Sequence, residues 1–228
     1  MTSVNNENEM HNLNLIKIPA GIISLRDDRI KRKWDMRIES FYLSSYPVTQ
    51  KLYHEITGQS PSNYVGDNNP VENVSWIDAV SFCNLLSAKM NLTPFYLFTD
   101  NLDEVLCDYG SGGFRLPTDA EWEFACKAGT GKVRYGELDS IAWYIKNAEG
   151  KTHEVGKKKP NSYGLYDMLG NVWEWCFDIY DKEKYGSYRI LRGGGWCDQE
   201  RGCLATNRRR SHPTFKIDDL GFRIAKSL

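Results

Sequence analysis

The pattern of this chain changes at Gly129, and the change limits what it can fold into. Three helix signatures come before it. In YPVTQKLYHEITG, Thr49 serves as N-cap and Gly58 as stop. In VSWIDAVSFCNLLSAKM, Ser75 caps a run in which Ile77, Val80, Phe82, Leu85 and Leu86 recur at helical spacing. In LPTDAEWEFACKAG, Thr118 and Glu121 form a capping box and Gly129 ends the helix. NLIKIPAGIISL alternates like a strand pair around Gly21. After Gly129, short aromatic and β-branched runs alternate with Gly, Asn, Asp and Pro turns. RILRGGGWC and LGFRIAKSL read as strands. Helices early and short irregular strands late define an α+β class with much loop.

The chain has 228 residues, which suits one β-rich domain over 15–228 after a polar, disordered tail at 1–14. Its net charge of −1 gives no reason to expect nucleic acid or an anionic membrane as partner. No apolar run approaches the ~18–20 residues of a membrane span. The opening MTSVNNENEMHNLN has no hydrophobic signal region, so a cytoplasmic location is expected. None of the six cysteines forms C-x-x-C or lies beside a histidine at zinc-ligand spacing. In that setting they are expected to be reduced and mostly buried.

NSYGLYDMLGNVWEWCFD sets Glu174 between Trp173 and Trp175. A plain buried strand does not need an acid between two indoles. Asp167 and Glu174 are hard carboxylates seven residues apart, with Gly170 able to turn the backbone between them. Calcium takes six to eight oxygens, commonly carboxylates mixed with backbone carbonyls. The same acids could instead serve the frame, Glu174 pairing with a buried arginine and Asp167 capping a turn. Trp173 and Trp175 read as core.

Three stretches together, GGFRLPTDAEWEFACKAG, NSYGLYDMLGNVWEWCFD and RILRGGGWCDQERGCLATNRRRSHPTFKIDDLGFRIA, closely resemble the formylglycine-generating enzyme (sulfatase-modifying factor) superfamily. The resemblance runs from about Ile16 to the C-terminus. It implies a C-type-lectin-like fold of the formylglycine-generating enzyme type. It also implies Ca²⁺ held by the Asp167 side chain, the Gly170 and Val172 carbonyls and the Glu174 side chain. The superfamily contains copper-dependent oxidases, catalytic domains of iron-dependent sulfoxide synthases and variable ligand-binding proteins of diversity-generating retroelements, so the fold alone does not fix function. The oxidases hold copper(I) with two cysteines separated by four residues. Cys203 can be placed on the first, but the second falls near Asn207 or Arg208, and neither is a soft ligand. Copper is therefore not expected. The iron type needs three histidines, and His11, His54, His153 and His212 show no H-x-x-x-H spacing. The alternative that remains is an oxidoreductase acting on a peptide or small thiol through Cys203, helped by Cys197.

Trp196 to Arg223 also resembles the variable region of the retroelement-diversified proteins, in which a rigid frame displays exchangeable residues. By position the displayed set is Asp198, Gln199, Glu200, Arg201, Arg209, Arg210, Ser211, His212, Thr214, Phe215, Asp218 and Asp219. Ligand contact is expected from Asp198, Glu200, Arg201, Arg209, Arg210, His212, Phe215 and Asp218. Acids, arginines and one ring suit a protein, peptide or small polar ligand better than a bare hydrophobic groove would. Arg208 and Arg223 read as frame residues tying loops to carbonyls. The expected function is that of a calcium-stabilised ligand- or partner-binding or accessory domain.

Overall fold

The three helices begin where their caps stand. In a computed structural model describing residues 13–27, 31–99 and 105–228, α1 covers Gln50–Thr57, with the Thr49 hydroxyl accepting from the Leu52 N–H and Gly58 left-handed at φ 71°. Helix α2 covers Trp76–Lys89 behind a capping box of Ser75 and Asp78. Its buried stripe includes Trp76, Val80, Phe82 and Leu86. Leu85, expected on that stripe, is 49% exposed. Helix α3 covers Asp119–Lys127 behind the Thr118–Glu121 box. The left-handed exit begins one residue early, at Ala128. Two single turns, α4 (Leu138–Ile141) and α5 (Lys182–Tyr185), lie in the later loops.

The strands are short and pair far along the chain. β1 (Leu15–Ile18), β4 (Phe41–Ser44), β12 (Ala225–Ser227) and β7 (Phe114–Arg115) form one antiparallel sheet in that order. β10 (Arg209–Ser211), β9 (Arg189–Arg192), β8 (Trp173–Ile179) and β11 (Leu220–Gly221) form a second, in which β11 runs parallel to β8. β2 (Gly21–Asp27) pairs with β3 (Arg32–Ile38), and β5 (Tyr96–Phe98) with β6 (Val105–Cys107).

Three sequence expectations change here. β1 and β2 do not pair with each other; β1 joins β4 and β2 joins β3. Pro19 and Ala20 interrupt the run and let each half pair with a different strand. LGFRIAKSL is not one strand but two, β11 and β12, in different sheets. Between them Arg223, 0% exposed, sits where the chain crosses from sheet to sheet. RILRGGGWC leaves the sheet at Arg192, because Gly193 and Gly194 turn the chain at φ 97° and 85°.

β8 separates two apolar clusters. Trp173 and Trp175 pack with Trp76, Phe82 and Phe222 on the α2 side. Cys176 packs with Trp122, Met168 and Ile190 on the α3 side. Alternation along a strand therefore turns both indoles one way and Glu174 the other. The indole N–H groups are satisfied: Trp175 donates to the Val74 carbonyl and Trp173 to Asp198. Most of the tail expected at 1–14 lies outside the described residues. Leu13 is buried in the α2 cluster, and the Asn14 carbonyl accepts from Ser45.

Candidate functional site: a buried ion-pair frame, an acid-bearing loop and a polar cleft

Glu174 and Arg223 form the centre of the frame, both 0% exposed. Arg223 Nε donates to Glu174 Oε2 at 2.6 Å and its Nη2 to Oε1 at 2.7 Å. Trp122 Nε1 adds a third bond to Oε2 at 2.7 Å. The rest of the Arg223 fork donates to the Ser44 and Tyr166 carbonyls. One guanidinium thus ties both sheets and the Tyr166 loop to β8. A fork–fork pair of this kind is among the stronger hydrogen-bonded contacts a protein makes.

A second buried network lies beside it; Arg208 is the frame residue expected from the sequence, whereas Arg192, Asp119 and Glu123 were not foreseen. Arg192 reaches Asp119 at 2.5 Å and Glu123 at 2.7 Å, and Arg208 reaches the same two acids at 2.8 and 3.1 Å. Arg208 Nη1 also donates to the Arg26 carbonyl. Asp119 and Glu123 stand four residues apart on α3, so one helix face presents both acids with Trp122 between them. Both arginines hold the Asp119 carboxyl below its ordinary range against the burial that would raise it. In these two networks three buried acids meet three arginines.

Asp167 falls outside that balance. It is buried, at φ 53°, with Oδ2 accepting from the Gly156 N–H at 2.7 Å. Its Oδ1 is buried with no hydrogen-bond partner. Burial pushes this carboxyl up to about 6, partly countered by the Gly156 N–H and Arg223. Gly170 is needed where it stands: φ is 78°, and a Cβ there would lie 2.3 Å from the Trp143 carbonyl oxygen. Asn171, at φ 65°, bonds the backbone N–H and carbonyl of His153 and pins the loop from outside. A carboxylate has about four acceptor positions. Glu174 uses three, which leaves one on Oε1 for a cation. An orphaned Asp167 oxygen and a spare Glu174 position fit a calcium ion, and the pairing of Glu174 with a buried arginine holds alongside.

The display residues do not form one row. On one side of β10, Arg209 lies over the Trp173 ring at 4.7 Å and meets Asp198 at 3.0 Å. Near it, Asp218 accepts from the Tyr64 hydroxyl, Trp196 donates to the Asp218 carbonyl, and Tyr64 packs edge-on to Trp196. On the other side, Arg210 stacks on Tyr185 at 3.8 Å, and His212 lies edge-on to Tyr188. Glu200 pairs with Lys146 and lines a separate polar cavity with Arg134, Asp139 and Tyr144. Arg201 is exposed, and Phe215 is 41% exposed. The residues brought together are therefore Asp198, Arg209 and Asp218, joined by Tyr64, Trp196 and Asp219. Tyr64 and Trp196 were missed because aromatic residues are as common in cores as in clefts.

The six thiols are all free. Cys83, Cys126, Cys176 and Cys203 are buried, Cys107 is half-buried and Cys197 is exposed. Burial and the nearby Asp198 push the Cys203 thiol up to about 12, so it holds its proton at neutral pH. Cys197 Sγ lies 3.1 Å from Asp219 rather than joining Cys203 in a metal-capable group.

The fold and these sites define a class: an α+β, C-type-lectin-like domain whose loops are tied down by buried arginine–carboxylate forks. The family model described as the sulfatase-modifying factor enzyme 1-like domain matches residues 2–228, and the chain belongs to that family. It is 35% identical over 199 residues to a chaperone protein LppX of Paenibacillus barcinonensis, covering 71% of each chain. It is 32% identical to the inactive Cα-formylglycine-generating enzyme 2 of Mus musculus, over 79% of this chain and 56% of that protein. It spans only 33% and 34% of two further curated relatives. Among solved structures, Treponema denticola variable protein 1 superposes with a TM-score of 0.86 at 35% identity, covering 94% of this chain and 95% of that one. The resemblance to variable proteins therefore extends over nearly the whole fold. Among the described residues no helix is long and apolar enough to cross a membrane.

Proposed function

We propose that this domain is a calcium-stabilised, non-catalytic module that captures a protein, peptide or small polar ligand in the cleft around Arg209. The observation carrying the reading is the convergence of Asp198, Arg209, Asp218, Tyr64 and Trp196 on one side of β10. A charged fork beside two rings and two acids recognises a ligand bearing both a carboxylate and a cationic or hydroxyl group. The names of the chaperone and of the inactive enzyme above are in keeping with an accessory role. The protonated, buried Cys203 speaks against the oxidoreductase alternative.

The test is capture of a candidate partner by variants. Arg209→Ala is expected to cost about 2 kcal/mol of affinity, roughly thirtyfold, as central anchors do. The melting temperature should hardly move, since half-exposed side chains contribute under ~1 kcal/mol. Arg210→Ala, on the opposite face of β10, should leave capture unchanged. Equal losses from both would place the binding surface elsewhere.

In this reading Asp167 and Glu174 supply side-chain oxygens to Ca²⁺, and Gly170 and Val172 supply carbonyls. The ion would offset the charge that the arginine networks leave uncompensated at Asp167. A ligand that binds only the folded state stabilises by about 2.7 kcal/mol at a hundredfold excess over Kd. Chelation of metal-replete protein should therefore lower the melting temperature. Asp167→Asn should abolish that response and is a cleaner probe than Glu174→Gln, because Glu174 also holds Arg223. An identical melting curve with and without chelator would remove calcium from the account.

A further inference from the structure

We propose that Cys197, Asp198 and Asp219 form a binding site for a divalent transition ion of the zinc type, separate from the Asp167 loop. One ligand atom from each of the three lies within 4.8 Å of the others. Cys197 Sγ is 3.1 Å from Asp219 Oδ2. Asp198 is aimed by its neighbours: Oδ2 accepts from Trp173 Nε1 at 2.6 Å and from the Gly195 N–H at 2.9 Å, while Oδ1 meets the half-exposed Arg209. Asp219 is placed through its own backbone, whose carbonyl accepts from the Trp173 N–H at 2.6 Å. Both carboxylates rest on glycines. A Cβ on Gly195 would lie 2.7 Å from Asp219 Oδ2, and one on Gly202 would lie 2.9 Å from the Asp198 carboxyl carbon.

An independent observation also points to a cation here. Glu72 is 0% exposed; its Oε1 takes the N–H groups of Asn63 and Tyr64, and its Oε2 has no partner. Tyr64, whose N–H it takes, reaches Asp218 through its hydroxyl. Three carboxyls and a thiol thus gather in one corner of the cleft, met by the positive charge of Arg209, with Glu72 behind Tyr64. A divalent ion would offset the excess.

The donor set narrows the ion. Hard cations such as Ca²⁺ and Mg²⁺ take oxygen ligands and do not select a thiolate. Copper(I) favours soft sulfur ligands, and this site has one. Zinc accepts thiolate and carboxylate together, and with three protein ligands it keeps a fourth position open. Because Cys197 is exposed, water or a donor group of a bound partner, an imidazole or carboxylate, can reach the site to complete the shell. Binding requires the Cys197 thiolate, so the thiol proton is released to solvent as the metal–sulfur bond forms, and affinity should rise with pH.

The experiment uses the metal-free protein titrated with Co²⁺ as an optical stand-in for zinc. One equivalent should produce a near-ultraviolet thiolate-to-cobalt charge-transfer band that Zn²⁺ displaces. Zn²⁺ should also protect Cys197, the exposed thiol, from alkylation in the native protein. Cys197→Ser should abolish the band, and Asp219→Asn should weaken affinity about tenfold or more. Asp167→Asn should keep the band, because the Asp167 loop has no sulfur to donate. The proposal is overturned if no band forms, if the band survives Cys197→Ser, or if Zn²⁺ leaves Cys197 as reactive as before. The alkylation arm needs no variant, so a misfolded mutant cannot obscure the answer.

Discussion

Arg223→Ala is expected to destabilise the domain by about 3–5 kcal/mol, the usual cost of leaving one partner of a buried ion pair unpaired. Glu174 would be left without its cation in a site with no exposure to water. Trp122 Nε1 would then be the donor left to it. The Ser44 and Tyr166 carbonyls would lose a partner too, loosening the junction of the two sheets. The surface pair Arg37–Glu39 is the control, with side chains 78% and 76% exposed. Arg37→Ala should change stability by under ~1 kcal/mol. A double variant, Arg223→Met with Glu174→Gln, should recover much of the loss, because removing both charges avoids the uncompensated one. Urea unfolding of the three proteins decides the matter. If Arg223→Ala costs no more than Arg37→Ala, the Glu174 charge is held by something other than Arg223.

Arg223 could be read as a frame residue tying loops to carbonyls, but not as the arginine that Glu174 meets. Glu174 between two indoles signalled a special environment, but its partner lies 49 residues further on, at the crossing between β11 and β12. Caps could be read because they are local: Thr49, Ser75 and Thr118 each bond an N–H three residues ahead. Strand partners could not, because β1, β12 and β11 pair with distant segments whose only local mark is a short apolar run. The Asp119–Glu123 network did leave a signal. Two acids at i and i+4 flanking Trp122 on a helix otherwise apolar on that side call for buried cations. In the display region the order of residues was legible but their facing was not. A strand only three residues long sends Arg209 to Trp173 and Arg210 to Tyr185. The proposed calcium loop could be read from its acids and glycine, while the orphaned Asp167 oxygen that supports it is a property of packing alone.

The second large effect expected is a loss of stability as pH rises from about 5 to about 7 in the presence of chelator. The buried Glu72 and the half-buried Asp178, both away from the Asp167 loop, account for most of it, and metal-free Asp167 adds to it. Burial pushes Glu72 up to about 7, against the pull of the Tyr64 and Asn63 N–H groups, and Asp218 and Asp219 add to the rise. Burial, together with the neighbouring Asp119, pushes Asp178 up to about 6. A carboxyl with a raised folded pKa binds its proton more tightly folded than unfolded. The folded state then carries more protons across this window, so stability falls with increasing pH. Asp119 and Asp78 are lowered and act with the opposite sign, but at pH values below their ordinary range. A tenfold tighter hold on the proton in the folded state is worth about 1.4 kcal/mol, and only the part falling between pH 5 and 7 counts, so the combined loss is on the order of 3 kcal/mol. Glu72→Gln should remove roughly half of that slope, since the amide has no charge to bury. Calcium should flatten the curve further where Asp167 would otherwise add to it, because a bound ion keeps that carboxylate ionised in the folded state. Melting temperatures measured across this range, with and without Ca²⁺, separate the contributions. A domain whose stability in chelator is level or climbs from pH 5 to 7 would mean that Glu72 and Asp178 are ionised and solvated in the folded protein, and that the acidic corner beside Trp196 is open to water rather than closed.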